Sequence, residues 1–213
     1  MGKIIENKPI LFVDFNGVLS YRNFWFSLEE VSHPLSSLLA PIQELVFSKK
    51  KELCSDWMRG MYTSEQIHER IGIELGIDVT ALWEQFVIDC RNLDVSLLLL
   101  DKIRQLNEKY VCILRTDNMD TLERFTIPAH PEMRDAFHEI HNSYALGQLK
   151  GDDGGRYFLD MVRRYQTNLT FCVLVDDSET VCSLFRSLGG KSYCVTGEDQ
   201  VFIVFDQLHG KIL

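Results

Sequence analysis

An α/β fold is what this sequence predicts: a parallel sheet with helices on both faces and a helical insertion after the first strand. Three observations predict it. Short apolar, β-branched runs lead into polar residues, helical periodicities alternate with those runs, and residues 21–94 break the alternation.

The first strand is the run from Ile10 to Val13, which delivers Asp14 into a turn opening on Gly17. No convincing strand follows until Asp94. Ser36 to Leu53 is apolar at helical spacing. Thr63, with Gln66 three residues on, has the form of a capping box, predicting a helix from Ser64 to Leu75 that ends at Gly76. Asp78 or Thr80 can cap the next helix, which carries Leu82, Trp83, Phe86, Val87 and Cys90. An insertion at this point reads as a lid over the end of the first strand.

The alternation then begins. Leu99, Ile103, Leu106 and Tyr110 recur at helical spacing before the strand Val111 to Leu114. Glu139 to Ser143 is a weaker strand. Tyr157, Phe158, Met161, Val162 and Tyr165 mark a helix before the strand Phe171 to Val175. Val181, Leu184, Phe185 and Leu188 form another helix, closed by Gly189 and Gly190, and Lys191 to Val195 is a last weak strand. The predicted division is a discontinuous core of residues 1–20 and 95–213, with a helical cap at 21–94. No internal repeat appears.

Composition narrows the function. Of the 213 residues 46% are hydrophobic, enough for a core and too many for a disordered chain. A formal net charge of -9 argues against binding a nucleic-acid backbone. The one compact basic run, Lys49-Lys50-Lys51, reads as a solvated helix end. Met1 to Lys8 is short and polar, and the first apolar run is too brief for a leader or a membrane span. No membrane association and a cytoplasmic setting are therefore expected. Six cysteines without a C-x-x-C pair read as free thiols, several of them buried, in a reducing compartment.

The polar groups at strand ends carry the chemistry. Asp14 ends the first strand, Thr116 ends the second apolar run, and Asp176 and Asp177 end the third. Lys150 lies in the polar loop from Gly147 to Asp153. A parallel sheet brings such ends to one edge. A carboxylate there can attack phosphorus, other carboxylates can hold a hard cation such as Mg²⁺, and a lysine and a hydroxyl can hold phosphoryl oxygens.

In this order the groups resemble those of the haloacid dehalogenase-like hydrolases, mostly phosphatases and phosphotransferases. Four separated motifs carry the resemblance over the whole chain, and the helical insertion stands where that family places its cap. The first motif is Phe12 to Leu19, the second Ile113 to Asn118, the third Ser143 to Lys150 and the fourth Val173 to Ser178. The resemblance implies Asp14 as nucleophile and metal ligand, Thr116 as phosphate-binding hydroxyl, and Lys150 as partner of Asp14 and the phosphate. It implies a Mg²⁺ site of Asp14, the carbonyl of Asn16, Asp176 and Asp177, with Asp177 favoured for the direct bond.

Two positions depart from the family pattern. Gly151-Asp152-Asp153 replaces a frequent Pro-Asp-Pro, which alters a loop. Asn16 stands where phosphatases of the family carry an acid/base Asp, a group worth about 10²–10⁴ in rate. Three readings stay open: a slow phosphatase or one using another acid or base, a weakened relative that binds a phosphorylated ligand, and an Asp→Asn change introduced by design.

Other residues have two readings. Arg22 and Trp25 either line a substrate entrance or, with Phe24 and Phe26, pack the insertion against the core. Alternation turns the Arg115 side chain away from that of Thr116, which predicts a surface role. Asp117, Asn118 and Asp120 are read as helix caps, with Asp117 and Asn118 also candidates for substrate contact. The histidines show no metal spacing. The favoured function is hydrolysis of a small phosphorylated substrate by a monomer or homodimer. A non-catalytic phosphate-binding module and a carbon–halogen hydrolase are the alternatives.

Overall fold

The computed structural model describes residues 8–49 and 51–210. The predicted basic run at Lys49-Lys50-Lys51 and the outer ends of the core segments lie partly outside these residues.

Five parallel strands form one sheet in the order β3-β2-β1-β4-β5. They are β1 (Ile10–Val13), β2 (Val111–Thr116), β3 (Glu139–Asn142), β4 (Val173–Asp176) and β5 (Lys191–Cys194). The chain builds outward from β1 to one side, then returns and builds to the other. The order therefore reverses between β1 and β4, where a crevice opens outside the carboxyl ends of the strands. Val13 pairs with Leu114 on one side and Val175 on the other, so Asp14 emerges at the centre of that edge.

Burial on both faces explains the continuous apolar runs. Leu11 and Val13 pack beneath Leu99, Ile103, Val201 and Phe205, whereas Ile10 and Phe12 pack with Phe158, Cys182 and Phe185 on the opposite face. Phe12 meets Phe158 edge-on at 5.1 Å and Phe185 at 5.8 Å.

Between β1 and the rest of the sheet lies a wholly helical stretch. Its main helices are α1 (Lys51–Met58), α2 (Ser64–Leu75) and α3 (Thr80–Arg91). The Thr63 capping box forms as predicted, and Gly76 ends α2 in the left-handed region at φ 65°. No side chain caps α3; Asp78 instead accepts from the Thr80 amide and hydroxyl in a local turn. The single periodic stretch predicted from Ser36 to Leu53 is broken into short pieces, with a π-helical run at Glu44–Lys49 before α1. Trp25, Trp57, Ile67, Phe86 and neighbours give this stretch a hydrophobic cluster of its own.

The remaining long helices are α4 (Leu97–Leu106), α5 (Arg156–Arg164), α6 (Glu179–Ser187) and α7 (Glu198–His209). Phe171, predicted as the start of a strand, lies in a 3₁₀ turn and is exposed; pairing begins at Val173. The described cysteines are all free, four of them buried. No helix among the described residues is long and apolar enough to cross a membrane.

Candidate active site

The strand ends bring Asp14, Thr116, Lys150, Asp176 and Asp177 to one edge. Asp14 leaves β1 with its amide bonded to the Val175 carbonyl at 2.9 Å, so β4 holds its backbone. The Phe15 amide donates to Asp14 Oδ1 at 2.7 Å, leaving Oδ2 to face Lys150. Lys150 is buried, and its Nζ lies 2.6 Å from both Asp14 Oδ2 and Asp176 Oδ2. Burial opposes its charge, but Asp14 and Asp176 outweigh burial and hold the ammonium above the usual lysine range. Burial, and after it the Asp14 charge, pushes the Asp176 carboxyl upward against the pull of Lys150.

Asp177 stands at the exposed rim. Asp14, Asp176 and Asp177 each offer a carboxylate oxygen within 4.8 Å of the others. Three hard anionic oxygens fit Mg²⁺, which takes oxygen ligands and keeps several waters. Lys150 occupies Asp176 Oδ2. It lies equally close to Asp14 Oδ2, so Asp177, at the rim, is the carboxylate of the trio that Lys150 does not bridge.

Thr116 ends β2 with its hydroxyl buried and without a partner in the protein. A buried hydroxyl left without a partner is one that a phosphoryl oxygen would complete.

Arg115 overturns its surface prediction. Its side chain does point away from that of Thr116, but α5 covers that face and the residue is 0% exposed. The guanidinium stacks 4.6 Å from the Tyr157 ring. Nη1 donates to the Thr116 carbonyl at 2.7 Å and to Asp117 Oδ1 at 3.1 Å, and Nη2 donates to the Gln148 carbonyl at 2.9 Å. Asp117 also accepts from the Lys150 amide at 2.9 Å. Arg115 and Asp117 thus tie the end of β2 to the lysine loop.

Asp117, Asn118 and Asp120 do not cap the segment that follows, whose first turn has no side-chain cap. Asn118 Nδ2 donates to Asn16 Oδ1 at 2.9 Å, and Asn118 Oδ1 accepts from the Met119 amide at 2.8 Å. Asp120 instead reaches into the helical stretch, where it accepts from the Ser64 hydroxyl and from Trp57 Nε1.

A cavity of about 390 Å³ opens between the helical stretch and the strand ends. Asn16, Asp117 and Met119 form its floor, and Asn23, Phe24, Gln43 and Phe47 part of its far wall. Neither Arg22 nor Trp25 lines it. Trp25 is fully buried against Phe86 at 4.9 Å, and Arg22 is exposed with its guanidinium 4.4 Å from the Phe26 ring. Sequence reasoning missed Asn23 and Gln43, which carry no motif. Phe24 stood in the aromatic cluster assigned to packing. None of Asp14, Thr116, Lys150, Asp176 and Asp177 lines this cavity, which reaches their loops at Asn16 and Asp117. A larger hollow of about 650 Å³ between Thr63, Glu65, Arg124 and Tyr144 includes neither of those two residues.

No family model matches the sequence, and no curated protein matches it. Solved structures do. A predicted HAD-like family hydrolase from Porphyromonas gingivalis aligns with a TM-score of 0.74 at 19% identity, covering 97% of this chain and 98% of that one. A wild-type HAD family enzyme from Bacteroides thetaiotaomicron, in complex with magnesium and inorganic phosphate, aligns at 0.66 and 18% identity, covering 92% and 99%. A dehalogenase with an intermediate complex aligns at 0.63 and 12% identity, covering 88% and 84%. The chain has the fold of these HAD-like hydrolases.

Proposed function

We propose that this chain is a Mg²⁺-dependent phosphohydrolase of a small phosphorylated metabolite, acting through an aspartyl-phosphate on Asp14. One relationship carries the reading: Lys150 bridges Asp14 and Asp176 at 2.6 Å, and the strand next to β1 ends in a buried, unpartnered Thr116 hydroxyl. A lone structural ion pair needs one carboxylate. Two carboxylates on one buried ammonium, with an oxygen of a third within 4.8 Å of theirs, suit a site that binds both an anion and a cation.

Asp14 is the nucleophile, and the Phe15 amide on Oδ1 fixes its plane. Lys150 carries the charge of the phosphoryl oxygens as it moves toward the leaving group. Thr116 donates to a second phosphoryl oxygen. Asp14, Asp177 and the backbone carbonyl of Asn16 would hold Mg²⁺, which would supply further charge neutralisation. The helical stretch 21–94 serves as a cap whose wall receives the alcohol part of the ester. The magnesium and phosphate of the Bacteroides relative support the same ligand class here.

The dehalogenase relative and Asn16 favour a second reading, carbon–halogen hydrolysis by the same Asp14. A panel of phosphate monoesters with Mg²⁺, run on this chain and on Asn16→Asp, decides. Chelator-sensitive phosphate release supports the phosphohydrolase. Absence of both turnover and phosphate binding in the two proteins sinks it. Release of halide from 2-haloacids that survives a strong chelator establishes the second reading, and phosphate binding without turnover in either protein establishes a binding module.

A further inference from the structure

Asn16 leaves the proposed reaction without a proton carrier at the position where one is expected. The hydrogen bonds settle which way its amide faces. Asn118 Oδ1 accepts from the Met119 amide, so its Nδ2 is the end that meets Asn16. Asn16 therefore offers Oδ1 to Asn118 and has only its NH₂ left to give. It can donate a hydrogen bond to an oxygen in the site but cannot take or release a proton there.

A different carboxylate borders the same cavity. Asp117 and Asn16 both form its floor, and among the described residues Asp117 is the only acidic side chain lining it. The three other carboxylates of the site have tasks: Asp14 attacks, Asp176 accepts Lys150, and Asp177 joins the metal-binding trio. Asp117 is held firmly by its inner oxygen. Oδ1 accepts from Arg115 Nη1 at 3.1 Å and from the Lys150 amide at 2.9 Å, whereas among the described residues Oδ2 shares only that same amide, at 3.1 Å. The Asp117 side chain keeps 20% of its surface exposed, against 0% for Arg115. Oδ2 thus has lone pairs to spare on a carboxylate whose orientation is fixed.

We propose that Asp117 is the general acid and base of this site, in place of residue 16. The inference rests on the phosphohydrolase reading given above. In the first step an Asp14 oxygen attacks phosphorus and the phosphorus–oxygen bond to the alcohol breaks. The bonding pair goes to the leaving oxygen, which takes the proton of Asp117. In the second step a water oxygen attacks the same phosphorus and gives its proton to the Asp117 carboxylate. The bond to Asp14 breaks and returns its pair to that carboxylate, and phosphate leaves with Asp117 again protonated. The leaving alcohol and the attacking water occupy the same position opposite Asp14, so one group serves both steps. Burial raises the Asp117 carboxyl against the pull of Lys150 and Arg115.

The test measures turnover of 4-nitrophenyl phosphate with Mg²⁺ and acid-quenched phosphoenzyme in this chain, Asp117→Asn, Asn16→Asp and the double variant. Asp117→Asn is expected to lose about 10²–10⁴ in rate. The double variant, with the carboxylate moved to residue 16, is expected to recover most of that loss, which a merely structural role for Asp117 does not predict. Asp117→Glu keeps a partner for Arg115 and separates folding from chemistry; at equal melting midpoint it should turn over faster than Asp117→Asn. Turnover in Asp117→Asn within about threefold of the parent, no recovery in the double variant, or equal rates in Asp117→Glu and Asp117→Asn each overturn the proposal. Turnover in Asn16→Asp but none in the parent chain overturns it too, while leaving the phosphohydrolase site intact. No turnover and no phosphate binding in any of the proteins means instead that the phosphohydrolase reading has failed, and this inference with it.

Discussion

A β-carbon on Gly17 would stand 2.5 Å from Oδ2 of Asp177, closer than two such atoms can lie. The two residues follow different strands, β1 and β4, and Gly17 is glycine because Asp177 leans across it. Its φ of 72° adds a second demand, since only glycine takes that region at little cost. Gly17→Ala is expected to lose about 1–2 kcal/mol of stability from backbone strain. By displacing Asp177 it should also weaken Mg²⁺ binding about 10–100-fold. Thermal melts and calorimetric Mg²⁺ titration measure the two effects separately; unchanged Mg²⁺ affinity would remove Asp177 from the metal site.

Lys150 neutralises two buried carboxylates at once. Lys150→Met retains the length of the side chain and strips its charge, leaving Asp14 and Asp176 facing each other. Breaking a buried ion pair from one side costs about 3–5 kcal/mol. Urea unfolding should show a loss of that order, and phosphate titration should show no binding. A variant as stable as the parent would mean that the carboxylates were already neutral.

The helical stretch is tied down beside the lysine loop. Arg59, just past α1, forks onto Asp152 at 2.9 and 2.7 Å, and Asp152 also accepts from the Leu149 amide at 2.9 Å. Both side chains are about a third exposed, so the pair should add less than about 1 kcal/mol to global stability. Its effect on local opening is the larger one. Cys54 borders the cavity, and burial pushes its thiol up to about 11. Arg59→Met should leave the melting midpoint nearly unchanged and raise the rate of Cys54 alkylation about fivefold, the factor that a 1 kcal/mol opening gives. Equal alkylation rates would show that Arg59 does not hold the stretch closed.

The sheet was legible because its strands are buried on both faces. The runs around Phe12, Ile113 and Leu174 had to be continuous and apolar, and each had to end where the chain meets solvent. Asp14, Thr116 and Asp176 were legible for the same reason, since strand ends position them, and Lys150 was legible from the polar loop that carries it. Arg115 was not. Alternation gave the direction of its side chain correctly, but only the packing of Tyr157 above it decides whether that face is solvent or interior. For Trp25 the sequence left open packing and a place at a substrate entrance, and the structure shows packing. Its indole nitrogen finds a buried acceptor in His68, which lies 43 residues on and carries no local signal. The cavity wall at Asn23 and Gln43 depends on how short helical pieces turn between Leu39 and Lys49, and no periodicity encodes that turn.

His68 gives the helical stretch a dependence on pH. It is 1% exposed, with Trp25 Nε1 donating to its Nε2 at 3.3 Å and its Nδ1 lying 2.7 Å from the Ser64 carbonyl. These partners require the neutral ring with the proton on Nδ1, because a second proton on Nε2 would face the indole N–H. Burial first of all lowers its pKa to about 4, outweighing the Ser64 carbonyl and the charges of Glu65 and Asp120. The unfolded chain takes up the proton near pH 6.5, whereas the folded chain resists it until about 4. Below 6.5 the unfolded state binds more protons, so stability falls as pH falls. The contribution is fully present above pH 6.5 and is lost toward pH 4, up to about 3 kcal/mol. Glu65, held down to about 2 by Arg124, loses its contribution below its ordinary value of 4.5, so it affects only the acid end of that window. Asp176, pushed up to about 7 by burial and the Asp14 charge, takes up its proton in the folded chain over the same window and acts in the opposite sense. The His68 contribution is therefore read as the stability difference between the parent and His68→Gln. In urea melts followed by tryptophan fluorescence the parent should lose ground to His68→Gln between pH 7 and 4.5. A parent-to-variant difference that stays constant across that range would mean that the ring is charged in the folded protein, contrary to its hydrogen bonds.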